Sequence, residues 1–172
     1  MHTQRTAWLL AGVVLAGQGF STQARAVTVD RGLTANPVTF CQAALPAYEG
    51  LIRKRPLAVQ NEGTATAFVT CGFVNDATST GTRKVFAYFL NNDSAARQVT
   101  CTLVTSVAGA TNLYFTKSIT IPANSTGQFL TWEAGVDTGG TYFSRWVALS
   151  CSLPVGTGIA YLASFHDSNV GA

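Results

Sequence analysis

Apolar and polar residues alternate with a period of two along most of the chain beyond residue 57, and Gly, Asn, Asp and Pro separate the alternating runs. Such alternation is typical of strands that bury one face and are joined by short turns. Helical periodicity is nearly absent. The pattern predicts eight strands: Leu57–Gln60, Thr64–Val74, Val85–Leu90, Gln98–Val107, Leu113–Ile121, Gly127–Glu133, Tyr142–Leu153 and Ile159–Phe165.

Three of these strands carry a cysteine on their apolar face. Cys71 shares a face with Val69, Cys101 with Leu103, and Cys151 with the other apolar residues of its strand. Side chains two residues apart lie on the same side of a strand, so we expect all three cysteines to point inward.

The apolar patterns of two further strands predict which of their faces are buried. The run Val85–Leu90 is apolar on both faces, which predicts a central strand covered from both sides. In the last strand, Ile159, Tyr161, Ala163 and Phe165 recur at every second position and predict one continuous apolar face.

The first 26 residues predict a secretory signal. Arg5 precedes an apolar run from Ala7 to Gly17, and Ala24 and Ala26 are the small residues of a cleavage site. The run is shorter than the roughly 20 residues that cross a bilayer. We therefore expect cleavage after Ala26, a secreted or periplasmic domain spanning 27–172, and no membrane span after cleavage.

The stretch from Phe40 to Arg53 is less regular than the rest. It predicts an irregular N-terminal segment with a turn or two of helix, interrupted by Pro46. Together with the eight strands, this predicts an all-β fold, an antiparallel, jelly-roll-like β-sandwich in a single domain, with a closed barrel as the alternative. The first three cysteines are equally spaced, but we find no internal repeat around them.

Charged residues are scarce, and their nearly balanced signs argue against a nucleic-acid partner. The chain has 11 basic and 8 acidic residues, and Arg5 and Arg25 leave with the signal, which reduces the basic excess to one. We expect no nucleic-acid partner, because such binding needs a strong basic field. The small basic clusters, Arg53 to Arg55 and Arg83 with Lys84, are better explained as solvated surface charges.

The four cysteines, Cys41, Cys71, Cys101 and Cys151, are predicted to form two disulfides, because exported proteins meet an oxidising environment. Four cysteines allow three pairings, and the sequence does not choose among them. We favour Cys41 with Cys71 and Cys101 with Cys151. Zinc sites need close ligand pairs, which this chain lacks, so we expect no metal and no cofactor.

The residues around the cysteines carry a resemblance. Phe40-Cys41-Gln42, Val99-Thr100-Cys101-Thr102-Leu103 and Leu149-Ser150-Cys151-Ser152-Leu153-Pro154 resemble a group of small exported proteobacterial proteins with four cysteines. The group is uncharacterised. The resemblance implies export, a β fold and the favoured pairing, and it implies no active-site residues.

Catalytic candidates are few. His166 is the only histidine after residue 26, and Glu133 and Asp137 form a pair of acids around a Gly-rich turn. No strained serine turn of the GxSxG type accompanies them, and solvated loop acids are the simpler explanation. We therefore predict no catalytic residues. An enzyme with an unfamiliar site at these three residues is the weakest of three alternatives.

Aromatic residues of the late strands give the best functional lead. Trp132, Tyr142 and Trp146 are candidate ligand contacts, because exposed rings stack on sugars, although a covering sheet would make them part of the core. We expect a non-enzymatic binding, adhesion or structural module at the cell envelope or outside, with a carbohydrate or an envelope protein as candidate partner. A secreted inhibitor or effector-like protein that binds another macromolecule through the loop from Gly135 to Gly140 is the second alternative.

Overall fold

The structure, a computed structural model, describes residues 27–74, 81–106, 111–144 and 146–170. The predicted signal peptide, residues 1–26, lies outside the described residues. Within those ranges the strands are β1 (Val27–Ala35), β2 (Cys41–Ala43), β3 (Ile52–Arg55), β4 (Ala58–Asn61), β5 (Ala67–Gly72), β6 (Thr82–Asn91), β7 (Arg97–Ser106), β8 (Leu113–Ile121), β9 (Ser125–Glu133), β10 (Trp146–Leu153) and β11 (Thr157–Val170). Two short helices, α1 (Pro37–Phe40) and α2 (Ala134–Asp137), and a 3₁₀ turn at Pro46–Tyr48 complete the described elements.

The strands form two antiparallel sheets packed face to face. Sheet A has the order β3-β4-β11-β6-β9, with β1 also paired to β11, and sheet B has the order β2-β5-β10-β7-β8. From β4 onward the chain moves between the sheets at every connection except β7 to β8. The predicted antiparallel β-sandwich is therefore confirmed, and two separate sheets exclude the closed barrel.

The core is made by the inner faces of both sheets. Val69, Leu103 and Leu149 of sheet B and Val85 and Phe89 of sheet A are all fully buried. Their strands alternate between buried and more exposed residues, as the period-two pattern predicts.

The N-terminal region is more ordered than the sequence predicts. It contains α1, β2, the 3₁₀ turn and β3, and β1 precedes them. The Asn36 side chain caps α1 by accepting a hydrogen bond from Val38 N at 3.0 Å. β1 pairs with β11 and β2 with β5, which are distant along the chain, so local periodicity does not reveal these two strands.

The prediction of one apolar face for the last strand is wrong. Ile159 faces the core, but Tyr161 and Phe165 lie on the outer face of sheet A, and Leu162 takes the next inward position. A bulge at Ala160 causes the change, because this residue has no partner on β6 and shifts the alternation by one.

Both disulfides lie within sheet B. Cys41 bonds to Cys71 and Cys101 to Cys151, the two pairs favoured in the sequence analysis. In each pair the two residues face each other directly across neighbouring strands, β2 with β5 and β7 with β10. All four cysteines are buried against the core. Each disulfide therefore links two neighbouring strands of sheet B, and neither disulfide links the two sheets.

Two corners of the sandwich are built alike, contrary to the expectation of no repeat. Asn61 ends β4 and Asn91 ends β6, and each lies ten positions before a cysteine that faces the core. Each fully buried amide donates to a carbonyl four residues ahead at 2.8 Å, and its oxygen accepts from the backbone two residues ahead at 3.0 Å. The spacing between Cys71 and Cys101 therefore reflects a shared corner structure, and the two corner sequences also agree at Ala65 and Ala95 and in the Val-Thr pair that precedes each cysteine.

Candidate functional site

Trp132, one of the three predicted ligand contacts, lies in the core. Its side chain is 0% exposed, and its indole Nε1 donates a hydrogen bond to the carbonyl oxygen of Phe115 at 2.8 Å. The register of β9 places it opposite Val85, on the inner face of sheet A. A ring with no exposed surface cannot stack on a ligand, so the structure removes Trp132 from the candidates.

Tyr142 and Trp146, the other two candidates, lie in different surroundings. Trp146 begins β10 opposite Ser106 on sheet B, and it is 58% exposed. Tyr142 is half-buried, and its hydroxyl donates a hydrogen bond to Asp167 Oδ2 at 2.8 Å, which raises the pKa of Tyr142. The three aromatic candidates therefore do not form one site, although Trp146 stays an accessible ring.

The two candidate acids have separate ionic partners. Glu133 Oε1 is 2.7 Å from Lys84 Nζ, whereas Asp137 accepts hydrogen bonds from Lys117 Nζ and from the backbone N of Glu133. The predicted loop from Gly135 to Gly140 begins with α2, and these contacts of Asp137 hold it against β8 and β9.

His166 is far from solvent. It is 0% exposed and lies between two hydroxyls, with Thr82 Oγ1 3.3 Å from Nδ1 and Ser164 Oγ 3.0 Å from Nε2. A general base must reach a proton of the substrate, and this imidazole faces the core. The structure does not bring His166, Glu133 and Asp137 together.

The outer face of sheet A presents a group of aromatic side chains that the sequence analysis did not single out. They come from the three neighbouring strands β11, β6 and β9. We call this group the aromatic strip, and it consists of Phe86, Tyr88, Phe129, Tyr161 and Phe165.

The ring geometry of the strip centres on Phe86. Its ring centroid lies 5.5 Å from that of Tyr161, 5.7 Å from that of Phe165 and 6.5 Å from that of Phe129. These separations are in the range of favourable aromatic pairs. The rings also shield Ala163, which is paired with Phe86 and is 1% exposed although it is on the outer face.

Register aligns three of the rings across the sheet. Tyr88 of β6 is paired with Tyr161 of β11 on one side and with Phe129 of β9 on the other. Adjacent strands are about 4.8 Å apart, so this row presents a continuous line of ring atoms about three strands wide. Phe129 is 59% exposed and Tyr161 36% exposed.

Two bulges put these rings in line. The bulge at Ala160 turns Tyr161 outward, and Gly127 of β9 has no partner between Gln128 and Thr126. Gly127 has a φ of 110°, which favours glycine, and an added Cβ would lie 3.3 Å from the hydroxyl oxygen of Tyr88. The backbone of β9 thus leaves space for the Tyr88 side chain.

A cleft of about 610 Å³ continues the strip toward the start of β6. Phe86 and Phe165 belong both to the strip and to the cleft wall. Gly135 and Thr141 line it from the connection between β9 and β10. Its described charged residues are Asp30, Arg83, Lys84 and Glu133.

A further bulge supplies the cleft with two consecutive basic side chains. Lys84 pairs with Phe165 and Thr82 with His166, so Arg83 has no partner on β11. Consecutive residues of a regular strand point to opposite faces, and a bulge allows both to reach the same side. The hydrogen bond that Arg83 donates to Asp30 raises the pKa of Arg83 above its ordinary value, although burial opposes this shift.

The strip could have been found from one signal in the sequence. The alternation of Phe86 and Tyr88 with core residues makes Val85–Leu90 apolar on both faces, which we interpreted as cover from both sides. The structure confirms that β6 is central but shows no second layer over Phe86 and Tyr88 among the described residues. Apolar residues on both faces indicate either cover or a ligand surface, and the pattern alone does not distinguish them.

Residues 27–74, 81–106, 111–144 and 146–170 contain neither a cluster of metal ligands nor a membrane-spanning helix. There, no three His, Cys, Asp or Glu side chains come close enough to form a metal site. None of the helices there is both long and apolar enough to cross a membrane.

No protein-family model and no curated protein sequence matches the chain. Among solved structures it is similar to a xylan-binding domain of carbohydrate-binding module family 22, with 13% identity and a TM-score of 0.39, covering 90% of this chain and 92% of that one. It is also similar to a family 11 carbohydrate-binding module from Clostridium thermocellum in complex with a mixed-linked tetrasaccharide, with 10% identity and a TM-score of 0.37, covering 89% of this chain and 92% of that one.

A third similar structure is a Podospora anserina GH26-CBM35 mannanase, with 11% identity and a TM-score of 0.39. The match covers 82% of this chain and 28% of the mannanase chain, so this chain spans less than a third of that protein's length. At these identities and TM-scores, none of the three structures assigns a ligand or an activity to this chain.

Proposed function

We propose that this protein is an exported, non-enzymatic carbohydrate-binding module that holds a polysaccharide chain against the aromatic strip. The observation that carries the proposal is the line of rings on the outer face of sheet A, which continues into a cleft with charged walls. The two disulfides support export, because such bonds persist in oxidising compartments.

The chemistry of the strip suits sugars. The electron-rich face of an aromatic ring attracts the C–H groups that cover one side of a pyranose. Phe129 and Tyr161 present such rings on the outer face of sheet A. Tyr88 and Tyr161 add hydroxyls beside the apolar surface. An exposed apolar patch of this kind usually marks an interaction site in a soluble protein.

A single-stranded nucleic acid also stacks on aromatic platforms, but it needs a cationic groove along its backbone. Arg83 and Lys84 are the described cations next to the strip, and both form ion pairs with carboxylates. The surface therefore favours an uncharged ligand.

We predict that Phe129→Ala and Tyr161→Ala each weaken polysaccharide binding by about tenfold, because each removes an exposed stacking surface. The measurement is calorimetric titration of the oxidised protein against soluble glucan, xylan, mannan and galactan, after a screen for the best ligand. Both side chains are exposed on the outer face, so the variants should fold.

Trp146→Ala is the matched control, because it removes an exposed ring from the other sheet. It should bind like the wild type. Loss of binding in Trp146→Ala alone would move the site to sheet B, and unchanged binding in both strip variants would refute the proposal. Absence of binding to every glycan, with capture of a defined protein through Phe129, would assign the strip to a protein partner instead.

A further inference from the structure

The cleft beside the aromatic strip contains two ion pairs that face the same cavity. Arg83 Nη2 is 2.8 Å from Asp30 Oδ2, and Lys84 Nζ is 2.7 Å from Glu133 Oε1. A further contact joins Arg83 Nε to Asp167 Oδ1 at 2.8 Å. Together with Phe165, these residues come from β1, β11, β6 and β9, so the cleft spans four neighbouring strands of sheet A.

These charged groups are accessible to a ligand. The side chains of Arg83 and Lys84 are 39% and 42% exposed, and those of Asp30 and Glu133 are 55% and 47% exposed. Beyond these ionic contacts, each cation retains hydrogen-bond donors and each carboxylate retains lone pairs. The cleft therefore offers donors and acceptors side by side.

The charges of the described lining residues balance. Two cations face two carboxylates, so an incoming anion finds no unpaired positive group among them. A ligand carboxylate would have to displace Asp30 or Glu133 from its partner and leave that acid beside a like charge, which is unfavourable. A hydroxyl donates to a carboxylate and accepts from a neighbouring cation, and it disturbs neither ion pair.

We propose that this cleft is a subsite for one neutral sugar unit, which is recognised through adjacent hydroxyls by the Asp30–Arg83 and Lys84–Glu133 pairs and packs against Phe165. The inference rests on the proposed carbohydrate-binding function and specifies its ligand class. Neutral glycans bind with the strip and the cleft together, and polymers of uronic acids are rejected at the cleft.

Glu133→Gln tests the inference, because it removes one carboxylate and leaves Lys84 without its partner. Binding of the best neutral hexasaccharide should weaken by about tenfold, the usual effect of losing a hydrogen bond to a charged group. Oligogalacturonate of the same length should not bind to the wild type, but it should bind measurably to Glu133→Gln. The readout is calorimetric titration with both oligosaccharides.

Glu49→Gln is the matched control, since it changes the same net charge at an exposed position outside the cleft. It should leave both affinities unchanged. Asp30→Asn provides a second cleft variant on another strand, and it should shift the preference in the same direction. A circular dichroism spectrum like that of the wild type establishes that each variant is folded.

The outcomes separate this inference from the proposed function. If Phe129→Ala abolishes binding but Glu133→Gln and Asp30→Asn change nothing, the strip binds sugar and the cleft inference is overturned. Equal wild-type affinity for the neutral and acidic hexasaccharides would also overturn it. If no oligosaccharide binds to the wild type, the proposed function itself fails.

Discussion

The two buried asparagines show how single residues shape this sandwich. The Asn91 amide donates to the carbonyl oxygens of Ala95, Ile121 and Pro122 at 2.8, 3.2 and 3.0 Å. Asn61 donates in the same way to Ala65 and Leu153, at 2.8 and 2.7 Å. Each amide satisfies carbonyls that the sheets leave unpaired where the chain crosses between them.

We predict that Asn91→Asp lowers the free energy of unfolding by about 3 kcal/mol, because the carboxylate cannot donate and faces buried carbonyl oxygens. Urea denaturation followed by circular dichroism measures the effect. Asn92→Asp makes the same chemical change at an exposed neighbour and should cost little. Similar losses in the two variants would show that the corner does not depend on the buried amide.

For single residues, the sequence predicts the strand face on which a side chain lies, because the backbone sets it. The sequence does not predict whether that face is covered, because neighbouring elements set this. The inward positions of Cys71 and Leu149 follow from alternation alone. Alternation also places Trp132 on the same strand face as Leu130, and it places Trp146 on the face opposite Cys151. It does not say whether other elements cover an outer face, so the sequence left the exposure of Trp146 open.

Strand bulges are the main reason why the candidate site could not be located from the sequence. Ala160, Arg83 and Gly127 each interrupt a regular ladder, and each directs nearby side chains to the outer face of sheet A. Alternation predicts a strand well until one extra residue enters it, and only Gly127 carries a recognisable signal for this.

The two disulfides each connect a pair of strands and stabilise the fold by restricting the unfolded chain. The Cys101–Cys151 bridge closes a sequence separation of 50 residues and the Cys41–Cys71 bridge one of 30. On chain-entropy grounds each limits the unfolded ensemble by an amount worth about 3–4 kcal/mol.

We therefore predict that the double variant Cys101→Ala with Cys151→Ala unfolds at a lower urea concentration, with a loss of about 3–4 kcal/mol. The corresponding double variant of Cys41 and Cys71 should lose slightly less, because its loop is shorter. Equilibrium urea curves of the three proteins measure both effects. An equal midpoint for the wild type and the Cys101 and Cys151 variant would refute this account.

The whole molecule has few charges, and two of its ion pairs flank the asparagine corners. Arg97 lies against Asp93, and its hydrogen bond lowers the pKa of that carboxyl. Arg55 Nε donates to Glu62 Oε1 at 2.6 Å, and this bond lowers the pKa of Glu62. Both acids are therefore more readily ionised in the folded protein than in the unfolded chain.

The lowered pKa values of Glu62 and Asp93 predict how the stability of the fold depends on pH. Each carboxyl contributes stability above its unfolded pKa of about 4, and the contribution is lost as the pH falls through the lower folded pKa. Thermal unfolding between pH 7 and pH 2 should show a shallower acid slope in the double variant Arg55→Gln with Arg97→Gln. Lys54→Gln is the control, and its curve should parallel that of the wild type. Parallel curves for all three proteins would contradict the prediction.

The whole fold was more predictable than the site. Eight strands and the two-sheet architecture follow from periodicity and turn residues, because a sandwich requires one apolar face on each strand. Ligand surfaces obey no such rule. Phe86 and Tyr88 have the same pattern as core residues, and their exposure depends on which elements pack over β6.

The position of Lys117 affects whether copies of this protein can associate through the edge of sheet B. It sits in the middle of β8, the edge strand of sheet B, and points inward, where Nζ bonds to the carbonyl oxygen of Thr131 at 2.8 Å. The rest of that strand, Leu113–Ile121, is uncharged and rich in β-forming residues, the composition of an edge that recruits further strands. A lysine whose charge lies beneath such an edge makes aggregation by strand addition costly, because a docking strand would bury it further from water.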